Sequence, residues 1–293
     1  LIWGTTWIFI KVGLEDLPPI AFAASRFILA VFILALLIKP LKLEMPRTVA
    51  EWRLVAFTGF LQFSINYSLV FWSEQYITSG LAAVLQAMIT VFGLPLAWIY
   101  LPEERITKQK VLAVVIGITG VAVIFIDQLR IESFMAFLGC AAIVFGALAA
   151  AQASILVKAR GSGVHPASLV FTQMICGLPA LIIYSFLREG NPTTFNWSTR
   201  AIVCIAYLAV LGTITAFWLY YWLLKRVEST KAMMISLVTP LIAVVIGSIV
   251  LSETLPPQTF VGGILIMSSI GLIVFRRNRV SERSAAAPTL ESS

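Results

Sequence analysis

Gln62 and Asn66 stand four residues apart in FLQFSINYSLVFWSEQY, Phe60 to Tyr76, a stretch otherwise apolar enough to lie in a membrane. Amides are costly in hydrocarbon unless they meet partners or water. With Ser73 they share one helical face. Gln86 and Thr90 repeat the four-residue spacing. Thr215, Trp218, Tyr221 and Trp222 follow one side of GTITAFWLYYW, and Ser236, Thr239 and Pro240 cluster in another apolar run. Trp7 beside Thr5 and Thr6, and Gln152 with Ser154, complete the set. This is a chemistry of solvation. Amides and hydroxyls donate and accept without fixing a net charge, so they can replace the water that a small polar solute gives up. Trp7, Gln62, Asn66, Gln86, Thr90, Gln152, Thr215, Trp218, Tyr221, Trp222, Ser236 and Thr239 are therefore expected to line a substrate cavity. The plainer alternative is interhelical hydrogen bonding, worth about 0.6 kcal/mol per bond on average. For Ser and Thr a bond to their own helix's carbonyls serves equally well.

Arg26 is the one charge well inside an apolar run. A buried cation needs an anion, carbonyls or water. Glu74, Glu15 and Asp16 are the candidate partners. Arg26 either braces the structure with Glu74 or attracts a substrate carboxylate. Lys11, at the end of the first run, can snorkel to the interface. Trp52, Trp98 and Trp197 fall near span ends and read as interfacial anchors. Ala142, Gly146, Ala150 and Ser154, spaced by four, form a close-packing stripe.

Of the 293 residues, 59% are hydrophobic and 12% charged, and the mean hydropathy is +0.95. A soluble domain is about half apolar and a quarter charged, so this is an all-α polytopic membrane protein. Cys140, Cys176 and Cys204 occupy different runs without a CxxC pair and read as small buried residues. His165, before Pro166, has no companions at metal-ligand spacing. No cofactor or metal is expected.

Ten apolar runs emerge with a window of about 19 residues: 1–14, 19–38, 53–73, 79–101, 110–126, 134–157, 166–187, 198–224, 230–251 and 258–275. The first is short for a span, so a few residues are expected to precede Leu1. The polar tail, 276–293, is expected to be disordered. With a cytoplasmic N-terminus, 16 Lys and Arg residues fall inside and four outside. That asymmetry places both termini in the cytoplasm. It also explains the +7 net charge without invoking a nucleic-acid partner.

The chain repeats itself. A shift of 149 aligns Ala83 with Ala232, Thr90 with Thr239, Glu104 with Glu253 and Gln109 with Gln258; a shift of 147 aligns Lys11 with Lys158 and Pro19 with Pro166. Each half holds five runs, an odd number, so the halves enter the membrane from opposite sides. The expected architecture is ten transmembrane helices in two inverted five-helix repeats, 1–126 and 134–275, as in many secondary transporters.

Trp3, Gly4, Trp7 and Lys11, the PPIAFAASRF of Pro18–Phe27, EERIT at Glu103–Thr107, TPL at Thr239–Leu241 and LSETL at Leu251–Leu255 together resemble the EamA-type, ten-helix drug/metabolite transporter superfamily, most closely its YddG-type amino-acid exporters. The resemblance covers residues 1 to about 276. Val91 stands where the repeat partner has Pro240, with Pro95 nearby, and Ser252 replaces a common glycine. The resemblance implies a bacterial-type inner-membrane carrier with a central cavity between the halves. Its third, fourth, eighth and ninth helices would move in alternating access. It also implies export of amino acids or related metabolites by a monomer. No Asp or Glu occupies the middle of a run, which favours a facilitator over a proton-relay carrier. A lipid or nucleotide-sugar translocator of the same superfamily, or a non-transporting scaffold, is the alternative. An intramembrane enzyme would need a Ser–His pair, paired Asp or HExxH, and an ATP-driven pump a GxxxxGK[ST] loop. The sequence has none of these.

This topology has a direct test. A cysteine replacing Asn191 should react with an impermeant thiol reagent added outside sealed cells, and one replacing Arg47 should not. Labelling at Arg47 overturns the orientation.

Overall fold

Proline and small polar residues set where the helices begin. In the computed structural model, which describes residues 1–77, 79–129, 131–251 and 257–274, all regular structure is helical. The helices are α1 (Ile2–Gly13), α2 (Pro19–Ile38), α3 (Val49–Ser73), α4 (Ser79–Gln86, resuming as Met88–Tyr100), α5 (Lys108–Ile124), α6 (Phe134–Arg160), α7 (Pro166–Glu189), α8 (Thr199–Leu224), α9 (Ser229–Met233, resuming as Ile235–Leu251) and α10 (Pro257–Val274). The side chains of Trp7 and Lys11, and the 276–293 tail, lie outside the described residues. Pro19 and Pro166 open α2 and α7, where proline lacks only an N–H that would be unpaired anyway. Thr48 and Glu51 form a capping box on α3, and Ser133 and Ser198 cap α6 and α8. His165 caps α7, its Nδ1 accepting from the Ala167 amide, in keeping with a loop residue rather than a ligand.

Among the described residues, six helices, α2, α3, α4, α6, α7 and α8, are long and apolar enough to cross a membrane, and shorter apolar helices cover Ser229–Ile242 and Pro257–Ile273. Large apolar side chains such as Phe32, Phe145, Leu187 and Phe260 lie exposed on the outside. That is the expected surface of a multi-pass membrane protein. The central core packs Phe27, Phe63, Phe71, Phe217, Tyr220 and Tyr221.

Packing runs in related pairs: α3 lies on α7 and α8 on α2, α4 on α6 and α9 on α1, and α5 on α10. Where α3 crosses α7, a Cβ on Gly59 would sit 2.3 Å from the Gln173 carbonyl oxygen, and one on Gly177 2.6 Å from that of Gly59. Only hydrogen at both positions allows this backbone approach.

Two helices share the same departure from α geometry. Residues Phe60–Asn66 of α3 and Leu208–Thr215 of α8 are π-helical. Likewise α4 breaks at Ala87 and α9 at Met234, each with an i→i+3 bond, Thr90 N to Ala87 O and Leu237 N to Met234 O. Each member of these pairs is separated from its counterpart by nearly the spacing that aligns the sequence halves.

Ion pairs and caps tie the ends. Glu189 accepts from the Ile20 and Ala21 amides at 2.7 and 2.6 Å, so the end of α7 caps α2. Arg200 of α8 pairs with Asp16 at 2.8 Å and with Glu15. The guanidinium holds the Asp16 carboxyl down to about 2.

Gly59→Ala should force a backbone shift and cost at least about 1–3 kcal/mol, read as a lower melting temperature of the purified protein. A substitution melting like the wild type rules out the close α3–α7 approach.

Candidate substrate cavity

The irregular helices surround a cavity of about 210 Å³. From the α3 side come Gln62, Asn66, Tyr67, Phe71 and Glu74, and α4 adds Ala83, Gln86 and Ile89. The rest of the lining is Arg26 of α2, which lies against Tyr67 and Phe71, with Trp3 of α1, Ser154 of α6, Gly212, Phe217 and Tyr220 of α8, and Ser236, Thr239 and Pro240 of α9.

Helical irregularity explains much of this lining. The i→i+3 turn at Met234 removes the amide that would pair with the Met233 carbonyl. The Ser236 hydroxyl at 2.9 Å and the Thr90 hydroxyl at 3.2 Å can donate to it instead. The two hydroxyls lie 2.9 Å apart, so the one that donates to the carbonyl can accept from the other. In α8, Trp3 Nε1 donates to the Gly212 carbonyl at 3.1 Å, and Thr215 to that of Val210 at 2.9 Å. In α3, Ser64 donates to Gly177 O at 2.6 Å. Gly146 leaves room for Asn66 against α6. Gln86 Nε2 donates to Asn66 Oδ1 at 3.2 Å, while the buried Gln86 Oε1 has no partner.

Of the residues expected from the sequence, Gln62, Asn66, Gln86, Ser236 and Thr239 meet at this cavity, together with Arg26 and Glu74. The others are elsewhere. Thr90 lies buried behind the wall. Gln152 and Thr215 do not line it. Trp218 packs on His165, ring centroids 5.7 Å apart. Tyr221 is buried against Phe217 and Tyr220. Trp222 is 45% exposed with the Arg226 guanidinium 4.0 Å above its ring. The α8 residues that do line it, Phe217 and Tyr220, are five and eight positions after Gly212. Regular α spacing would choose positions 216 and 219; the π stretch inserts a residue and turns the face.

Arg26 and Glu74 share the cavity wall, yet no ion pair within 4 Å joins them among the described residues. Arg26 is 4% exposed, its guanidinium 4.9 Å from the Tyr67 ring centre and 5.9 Å from that of Phe71. Its Nε is unpartnered.

One turn beyond the cavity, Glu104 closes one end. It accepts from the Ser229 amide at 2.8 Å, from the Ser229 hydroxyl, and from Lys158 at 3.2 Å. Lys158 also donates to the Leu224 carbonyl at 2.8 Å and to that of Val227. Ser154, Tyr220 and Met233, one turn inward on the same helices, line the cavity, with Tyr220 donating to Ser154 at 3.1 Å.

A helical membrane bundle with paired irregular helices around a polar and aromatic cavity has the build of a small-molecule carrier. The sequence relationships agree. The model of the EamA-like transporter family matches residues 1–126 and 137–275, and the chain belongs to that family. It is 28% identical over 279 residues to an "Uncharacterized transporter" of Archaeoglobus fulgidus, covering 94% of this chain and 95% of that one. It is 26% identical over 286 residues to the "Probable amino-acid metabolite efflux pump" of Escherichia coli K12, covering 94% and 92%. A solved crystal structure shares the fold, with TM-score 0.79 at 15% identity over 95% of this chain and 94% of that one.

Because Glu104 is buried and Lys158 largely so, Glu104→Gln leaves the cation short of its anion and should cost up to roughly 3–5 kcal/mol. Glu104→Gln with Lys158→Met should recover part of that loss in thermal melts. Equal melting of the single variant and wild type contradicts the buried pair.

Proposed function

We propose that this protein is a secondary transporter that exports amino acids or related small metabolites across the bacterial inner membrane by alternating access. The carrying observation is the paired irregularity: π stretches in α3 and α8, breaks in α4 and α9, and one cavity among them. Interrupted helices at corresponding positions of two halves point to the substrate site of an inverted-repeat carrier. The cross-packed helix pairs favour ten spans in two inverted repeats, 1–126 and 134–275. The Lys and Arg distribution favours cytoplasmic termini. The efflux name of one relative supports the direction and the substrate class.

On this reading Gln62, Asn66 and Gln86 replace part of the substrate's hydration. Trp3, Phe217 and Tyr220 offer an apolar surface to its side chain. A cavity of about 210 Å³ suits a single small metabolite.

Proteoliposomes holding only the purified protein should exchange amino acids across the bilayer without ATP. Asn66→Leu and Gln62→Leu should each slow exchange about tenfold or more while melting near the wild type. The double change should not be additive if both groups contact one substrate. Exchange of nucleotide sugars or lipids but not amino acids overturns the substrate class. Normal exchange with lowered melting makes these amides interhelical bonds alone.

A further inference from the structure

We infer that Arg26 and Glu74 form a two-point charge subsite that selects zwitterions: Arg26 receives the substrate's carboxylate, and Glu74, helped by Gln86, its ammonium group. The inference rests on the transport reading and specifies what the cavity recognises. It starts from a cation and an anion on one wall that do not meet. Arg26 is buried, lines the cavity and keeps an unpartnered Nε, and no ion pair within 4 Å joins it to Glu74 among the described residues. A structural ion pair in low dielectric would close to contact, because separation keeps the desolvation cost of both charges and forfeits most of their attraction.

The surroundings relieve Arg26 only in part. The guanidinium rests against the Tyr67 and Phe71 rings, which attract its positive charge, and the Tyr67 hydroxyl takes one of its N–H groups, but among the described residues no carboxylate within 4 Å pairs with it and Nε stays unpartnered. Glu74 follows the last turn of α3, where the helix dipole supplies no positive charge. Gln86, also on the lining, has its Oε1 buried without a donor. The cavity thus offers an unmet donor, an unmet acceptor and a carboxylate. An α-amino acid carries the complement, a carboxylate and an ammonium on one carbon. A single anion or cation would satisfy one charge and leave the other unmet beside it.

The experiment measures binding, separate from transport. Purified wild-type protein is titrated with L-leucine, with L-leucinamide, which lacks the carboxylate, and with N-acetyl-L-leucine, which lacks the ammonium. Binding is read from the shift in thermal unfolding. Leucine should bind at least about tenfold more tightly than either analogue, the size of one lost charge-assisted hydrogen bond. Arg26→Gln should erase the preference over leucinamide and keep that over N-acetyl-leucine, and Glu74→Gln should do the reverse. If Arg26→Gln does not fold, the analogue series on the wild type and Arg26→Lys, which should retain the preference over leucinamide, still decide. Equal binding of all three by the wild type overturns the subsite, as does equal loss of both preferences in each variant. Exchange in proteoliposomes, measured on the same preparation, separates this from the transport reading: a protein that exchanges solutes but ignores these charges is a carrier without the zwitterion subsite.

Discussion

A carbonyl released from helical hydrogen bonding inside a membrane bundle must find a donor within the protein. Much of the centre of this molecule follows from that. The turn at Met234 frees the Met233 carbonyl, and Thr90 and Ser236 supply its donors. Inside the π stretch of α8, the Gly212 carbonyl takes the Trp3 indole from α1. Several polar residues near the cavity are thus tied to particular breaks in particular helices. The breaks in turn separate the helix surfaces enough to leave a cavity. Polarity and cavity share one cause, and neither would persist in hydrocarbon without the other.

The same constraint bears on motion. A helix whose interior bond has passed to a neighbour's hydroxyl has one fewer bond of its own to lose when it bends. The α4 and α9 breaks are joined through Thr90 and Ser236, so bending α4 disturbs a substitute donor of α9. Beyond the breaks the ends are fastened, by Glu104 with Lys158 and Ser229 on one side and by Arg200 with Asp16 on the other. A transport cycle of the proposed kind would have to exchange these fastenings. Near the α3–α7 crossing the backbones touch at Gly59 and Gly177. Such tight contact suits rigid-body tilting better than reshaping.

Helical class, membrane character and the central amides were legible because they depend on composition and regular periodicity. Gln62, Asn66 and Gln86 stand out against apolar neighbours whatever the fold. The α8 face was not legible. Trp218, Tyr221 and Trp222 follow from regular spacing, but the π stretch ends at Thr215 and turns Phe217 and Tyr220 inward. Nothing in LAVLGTIT announces an inserted residue. Thr90 misled for another reason: sequence shows a hydroxyl but not the carbonyl that claims it. Glu74 stood out only as a candidate partner for Arg26, and only the fold shows that it borders the cavity.

Glue and substrate path, the two readings of the central amides, need not compete. Gln86 donates to Asn66 across 3.2 Å, joining α3 to α4, yet both line the cavity and Gln86 keeps an unused acceptor. A bond between neutral amides contributes little net, about 0.5–1.5 kcal/mol, so an entering solute can displace it and satisfy the same groups. A weak bond holds this part of the lining, and a bound solute loses little by opening it. A carrier requires that balance: a site that binds too tightly cannot release on the far side, and a site with permanently unmet amides would not fold around its own void.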